Sequence, residues 1–237
     1  MQQASYLNSE RPARGFGNPL NKNTGTAGTG ANYFQVLVRE AGPCIGLGCA
    51  IKFTGEAAGD NAGISVSAAG DVNNDGYDDV LVGVHREDTG GTNAGAAYLV
   101  LGSSSGISDM SLSSAYAKLT GEGTNDAAGI SVSAGGDVNN DGYADVLVGA
   151  RHASAGGISP GGVYLVLGSS TGFSDMSLSS ADAKLIGETS GDYAGSSVST
   201  AGDVNNDGYS DVLVGAYGED TEGTNTGAAY LIFGWAL

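Results

Sequence analysis

One phrase recurs three times in this 237-residue chain at a fixed step. "DVNNDGYDDVLVG" begins at Asp71, "DVNNDGYADVLVG" at Asp137 and "DVNNDGYSDVLVG" at Asp203, each copy starting 66 residues after the last. The flanks keep the same step. Lys52, Lys118 and Lys184 open "KFTGE", "KLTGE" and "KLIGE", and "GISVSAAGD" at Gly63 matches "GISVSAGGD" at Gly129 and "GSSVSTAGD" at Gly195. "GAAYLVLGSSSGISDMSLSSA" at Gly95 returns almost unchanged at Gly161 as "GGVYLVLGSSTGFSDMSLSSA". A chain written this way folds as an array of one supersecondary unit, each copy burying its apolar faces against its neighbours.

Each unit reads as four short strands. In the second they are "AKLTGE", "GISVS", "YADVLVG" and "GVYLVLG", separated by Gly, Asn and Ser clusters. The run from Asp145 to Gly149 is apolar after its first residue, as in a strand buried on both faces. No stretch keeps helical periodicity over three turns, and 42 glycines suit tight turns between strands. The expected fold is all-β: four-stranded antiparallel sheets forming a partial or small β-propeller, with three full repeats and a partial leading blade. Residues 1–31 read as a polar Gly/Thr/Asn-rich arm, and 32–51, with "YFQVLV" from Tyr33, as strands of the leading blade. The repeats span 52–117, 118–183 and 184–237, the last lacking the outer strand that follows in the others.

The repeated phrase also carries chemistry. Numbered from Asp71, oxygen-bearing side chains fall at positions 1, 3, 5 and 9: Asp71, Asn73, Asp75 and Asp79. Gly76 permits a sharp turn at position 6, and Tyr77 can offer its carbonyl at position 7. The second loop supplies Asp137, Asn139, Asp141, Tyr143 and Asp145; the third supplies Asp203, Asn205, Asp207, Tyr209 and Asp211. Calcium takes six to eight oxygens in flexible geometry, so this spacing can wrap one chain around one ion, giving three Ca²⁺ sites. Magnesium demands stricter octahedral geometry and fits less well. An EF-hand needs a Glu at position 12, where this chain has Val82, Val148 and Val214, so that motif is excluded. The competing explanation is a set of Asx-turns in which Asp and Asn cap their own backbone without metal.

Together, "AGISVS", "GDVNNDGYxD", "VLVGA" and "GAAYLVLG" resemble FG-GAP repeats, the blades of the integrin α-subunit β-propeller, over roughly residues 51–237. The resemblance implies a non-enzymatic propeller with metal loops on one face, serving adhesion or assembly outside the cell. The family's Phe-Gly position reads Ala62-Gly63, Ala128-Gly129 and Ala194-Gly195 here, and its Gly-Ala-Pro position has no proline in any copy.

Other features narrow the function. A formal net charge of −17 disfavours nucleic acid and anionic membrane surfaces, and no run approaches the ~18 apolar residues that span a bilayer. Cys44 and Cys49 are spaced for a small disulfide loop, which suits an oxidising compartment. No secretion signal is visible at the N-terminus. "GSSSG" at Gly102 and "GSSTG" at Gly168 fit a nucleophile pattern, but they sit in Ser/Gly linkers without a His partner. His85 and His152 occupy different columns of the repeat and read as solvated loop residues, and Glu87–Asp88 and Glu219–Asp220 read as a solvated blade rim. No recurring group supports an enzyme.

The array begins with a spare "IKFTGE" and stops after "GAAYLIFGWAL", so a strand is supplied at one end and wanting at the other. Three arrangements satisfy this: closure on itself, membership of a longer adhesin, or one subunit completing the next head-to-tail as a homo-oligomer or filament. The favoured expectation is a calcium-binding extracellular structural protein that self-assembles. The alternative is an adhesion module binding protein or glycan through loops 86–95, 152–161 and 218–227.

Overall fold

The computed structural model describes residues 50–154 and 159–235. Cys44, Cys49, the arm 1–31 and the strand expected from Tyr33 lie outside the described residues. The chain folds into short strands in the order β1 (Phe53–Thr54), β2 (Ser65–Gly70), β3 (Asp79–Val84), β4 (Ala96–Val100), β5 (Met110–Ser111) and β6 (Ala117–Thr120). The second copy gives β7 (Ala128–Gly136), β8 (Asp145–Ala150), β9 (Gly162–Val166), β10 (Met176–Ser177) and β11 (Ala183–Ile186). The third gives β12 (Ala194–Gly202), β13 (Asp211–Ala216) and β14 (Ala228–Ile232). Two 3-10 turns, Leu112–Ser114 and Leu178–Ser180, precede β6 and β11.

Three antiparallel blades result. Blade 1 is β2-β3-β4-β6, blade 2 is β7-β8-β9-β11 and blade 3 is β12-β13-β14. The sheets are offset from the sequence repeat. The lysine strand that opens each unit pairs with the sheet of the unit before it, with Lys118 opposite Tyr98 and Lys184 opposite Tyr164. β6 also runs parallel to β10 of its own unit, and β1 runs parallel to β5 in the same way. β1 therefore holds the place of an outer strand with no blade of its own among the described residues.

The blades stack face to face, and side-chain alternation assigns each residue a neighbour. Leu81 and Leu99 of blade 1 cluster with Val132, Val146, Val148 and Tyr164 of blade 2. Leu147, Val163 and Leu165, on the other face of blade 2, cluster with Val212 and Val214 of blade 3. Blade 2 is covered on both sides, so every residue of β8 and β9 is buried. The same sequence at the end of the stack behaves differently. Leu147 and Leu165 are 0% and 3% exposed, whereas their equivalents Leu213 and Leu231 are 40% and 43% exposed. On the outer side of blade 1, Val66 is 67% exposed against 7% for Val132.

Close stacking requires small residues where backbones meet. Ser131 Oγ of blade 2 donates to the Gly195 carbonyl of blade 3 at 2.7 Å, and Ser65 Oγ donates to the Gly129 carbonyl at 2.9 Å. Gly149 lies under the first of these bonds, and a Cβ there would come within 2.2 Å of Gly195 O and 2.1 Å of Ser131 Oγ. At the equivalent Gly215 the single close atom is the Ser197 hydroxyl, a side chain that can turn away. Gly149→Ala should therefore cost about 1–3 kcal/mol of stability in urea unfolding, and Gly215→Ala clearly less. Equal losses at the two sites would refute this account of blade packing.

Candidate metal loops and the lysine sockets

The three phrases form three loops of the same geometry. In each, the second Asn (Asn74, Asn140, Asn206) takes a left-handed conformation, with φ of 54°, 56° and 59°. The glycine two residues on (Gly76, Gly142, Gly208) does so as well, with φ of 90°, 92° and 95°. Asn tolerates this region better than most residues, which explains a position that ligand spacing alone leaves unassigned. Consecutive loops are joined: Ala144 N–H donates to the Asp71 carbonyl at 3.1 Å, and Ser210 N–H to the Asp137 carbonyl at 2.9 Å. All three line one edge of the stack.

The side chains at positions 1, 3 and 5 fold onto the loop's own backbone. In the first loop Asp71 accepts from Asp75 N–H (2.9 Å) and Gly76 N–H (2.8 Å), Asn73 Oδ1 from Asp75 N–H (3.1 Å), and Asp75 Oδ1 from Tyr77 N–H (3.0 Å). Asp137, Asn139 and Asp141 repeat this set, as do Asp203, Asn205 and Asp207. Tyr77, Tyr143 and Tyr209 follow at position 7. The position-9 carboxylates point inward and are buried. Asp79 accepts from Val72 and Gly102 N–H, Asp145 from Val138 and Gly168, and Asp211 from Val204 and Gly234, all between 2.7 and 3.0 Å. Each ties its loop to the end of the next-but-one strand.

Among the described residues, no three His, Cys, Asp or Glu side chains converge as a metal cluster. The Asx-type bonds account for this, because they turn the oxygens toward main-chain donors. They do not exhaust those oxygens: a carboxylate has about four lone-pair sites, and each N–H takes one. The donor set is entirely oxygen, which suits a hard cation. The loops also hold like charges together. Burial pushes the Asp145 carboxyl up to about 6, and the Asp141 and Asp137 charges add to it. Asp79 is raised by burial in the same direction, with Asp75 and Asp71 contributing.

On the opposite edge lies a constellation that sequence reading missed. Glu87 is buried, at 5% exposure, and is no solvated rim residue. Lys118 Nζ meets Glu87 Oε1 at 2.7 Å, Thr89 Oγ1 at 2.8 Å and Glu56 Oε2 at 3.2 Å, and sits 5.4 Å from the Tyr98 ring centroid. Lys184 meets Glu122 Oε2 at 2.5 Å and lies 5.0 Å from the Tyr164 ring centroid. The 66-residue steps of Lys, Glu and Tyr were the available signal. Further buried carboxylates, Asp60, Asp126 and Asp192, brace the neighbouring turns. Asp60 accepts from Ala57 N–H, and Asp192 from Thr189 N–H.

The "GSSSG" and "GSSTG" segments form surface turns, closed by Gly106 N–H to the Ser103 carbonyl and Gly172 N–H to the Ser169 carbonyl. No α-helix follows either one among the described residues. His152 packs edge-on to Tyr193 at 5.4 Å, and Tyr193 stacks on Tyr217 at 5.0 Å.

With this geometry in place, comparison with known proteins is decisive. Residues 62–100, 128–166 and 194–232 each match the FG-GAP repeat. The chain is an FG-GAP repeat protein. Each matched span runs from the first strand of a blade through its third. The chain is 34% identical to mouse integrin alpha-IIb over 172 residues, covering 70% of this chain and 16% of that protein. It is 30% identical to chicken integrin alpha-6 over 169 residues, covering 69% of this chain and 14% of that protein. This FG-GAP chain thus spans about a sixth of the length of the integrin subunits it matches. No helix among its described residues is long and apolar enough to cross a membrane.

His85 also departs from expectation. It is buried at the end of β3, and its Nδ1 has no partner. Burial, then the Arg86 and Arg151 charges, hold its imidazole below the usual range. The fold therefore accommodates neutral His85. Its contribution is complete above about pH 6.5 and is lost as pH falls through the lowered folded value. Relative to the parent, His85→Gln should flatten the loss of stability between about pH 7 and 5, read from urea unfolding. Parallel pH profiles would overturn this.

Proposed function

We propose that this chain is part of an extracellular, non-enzymatic FG-GAP propeller for adhesion, with its three acidic loops held by calcium. The observation that carries the reading is the line of three all-oxygen loops of the same geometry along one edge of blades similar to those of integrin α subunits. Asp71, Asn73 and Asp75, with the Tyr77 carbonyl, would hold the ion in the first loop, and the equivalent residues in the other two. Asp79, Asp145 and Asp211 would anchor each loop from within. A bound cation supplies positive charge where three carboxylates crowd one turn.

Adhesion would use the other edge, six strand residues away and so about 20 Å distant. There the Thr- and Asn-bearing loop at 218–227 continues directly from the Tyr193–Tyr217 stack, and Tyr217 is 57% exposed. An exposed aromatic beside adaptable polar loops is the composition of a protein- or glycan-binding surface. Self-association, a second reading, rests on a different part of the molecule, the outer edge of blade 3.

Two measurements test the proposal. About 10 mM calcium should stabilise the protein by about 1–3 kcal/mol per site, given the affinities of extracellular modules, with reversal by EGTA. Asp137→Ala with Asp141→Ala should remove one site's share; no calcium response in the parent would refute the metal reading. On arrays of matrix proteins and glycans, Tyr217→Ala should reduce capture while lowering stability by no more than about 0.5–1.5 kcal/mol, the worth of one aromatic pair. Unaltered capture would move the binding surface elsewhere.

A further inference from the structure

Blade 3 contains every part of a lysine socket except the lysine. In blade 1 the socket is Glu56, Glu87, Thr89 and Tyr98, and Lys118 from β6 fills it. Moving each socket residue on by two repeats gives Glu188, Glu219, Thr221 and Tyr230, the same four residue types. The Thr–Glu bond is repeated, and the tyrosine hydroxyl, unbonded in blade 1, here reaches the first glutamate. Tyr230 Oη donates to Glu188 Oε1 at 3.1 Å, and Thr221 N–H donates to Glu219 Oε1 at 2.8 Å, as Thr89 N–H does to Glu87. Glu219 is 7% exposed. No strand lies along the outer edge of β14 among the described residues.

The matching plug stands at the other end of the stack. β1 carries Lys52, the third member of the Lys52–Lys118–Lys184 series, and Lys52 is exposed. Its backbone is already fixed as an outer strand should be. Lys52 N–H donates to Asp109 Oδ1 at 2.8 Å, just as Lys118 N–H donates to Asp175 Oδ1 at 2.8 Å. The exposed apolar faces match as well. Leu213 and Leu231 on blade 3 are the equivalents of Leu81 and Leu99, and Val66 on blade 1 is the equivalent of Val132. Leu81, Leu99 and Val132 pack together at the interface between blades 1 and 2.

We infer that the outer edge of blade 3 is a socket for the Lys52 strand of a second copy of this chain. The repeat fixes the register: Thr54, Phe53, Lys52 and Ile51 of the second copy stand opposite Ala228, Ala229, Tyr230 and Leu231. Lys52 enters between Glu188 and Glu219, and Val66 of the second copy covers Leu213 and Leu231. The contact is head-to-tail and heterologous, so each copy uses one socket and offers one plug. It depends neither on calcium nor on adhesion.

Sedimentation velocity of the full chain should show concentration-dependent association. Lys52→Glu should weaken that association by about 30-fold, since it sets an acid against Glu188 and the buried Glu219. Adding Glu188→Lys to Lys52→Glu should recover much of the loss, which a mere folding defect would not allow. Register is read by disulfide trapping in a Cys44→Ser, Cys49→Ser background. Mixing an Ile51→Cys chain with a Leu231→Cys chain should give a linked pair of twice the chain mass. A monomer at all concentrations, or association untouched by Lys52→Glu, overturns the inference. So does a bond that closes within a single chain carrying both cysteines.

Discussion

The contact on which the rest of the structure depends is the close approach of one blade to the next. Strands with the sequence DVLVG have no polar face of their own, so they are stable where another sheet covers each side. Burial of one such Leu or Val side chain is worth about 1.5–3 kcal/mol, and blade 2 gains it on both faces. The serine-to-glycine hydrogen bonds set how near the sheets come, because any side chain at Gly149 would collide with the neighbouring backbone. Hydrophobic burial drives the stack, and the glycines set its spacing.

Electrostatics divides the two edges. On one, carboxylates crowd into tight turns and are partly satisfied by backbone N–H groups, leaving lone pairs turned toward solvent. On the other, acids are neutralised internally by lysines that arrive from the next unit. A chain with a formal charge of −17 thus spends two of its few cations, Lys118 and Lys184, inside the blade-to-blade joint. Their ammonium groups lie against tyrosine rings as well as carboxylates, which ties charge pairing to strand order.

Much of this was legible in the sequence. The 66-residue step, the four-strand unit and the turn glycines each have one-dimensional signatures, and the strands fall where alternation and continuous apolar runs place them. The repeated phrase forms turns between strands, and the structure adds their internal hydrogen bonding and the left-handed Asn74, Asn140 and Asn206. Other features were not visible, for a physical reason. Glu87 looks like a rim residue because the lysine that it pairs with, Lys118, lies 31 residues away in the next unit. His85 looks like a loop residue because its burial and the nearby Arg151 charge are set by the fold and not by its own strand. Sequence patterns report what a residue does within its own strand, and these roles arise between units.

The offset between sheet and repeat has a consequence for how such a chain can change over generations. The strand that finishes one blade is written at the head of the next unit, so every joint is encoded across a unit boundary. Recombination between near-identical copies adds or deletes 66 residues in frame wherever the crossover falls. Each product still carries complete joints between all its remaining blades. The chain can therefore lengthen or shorten by whole blades without new packing having to evolve.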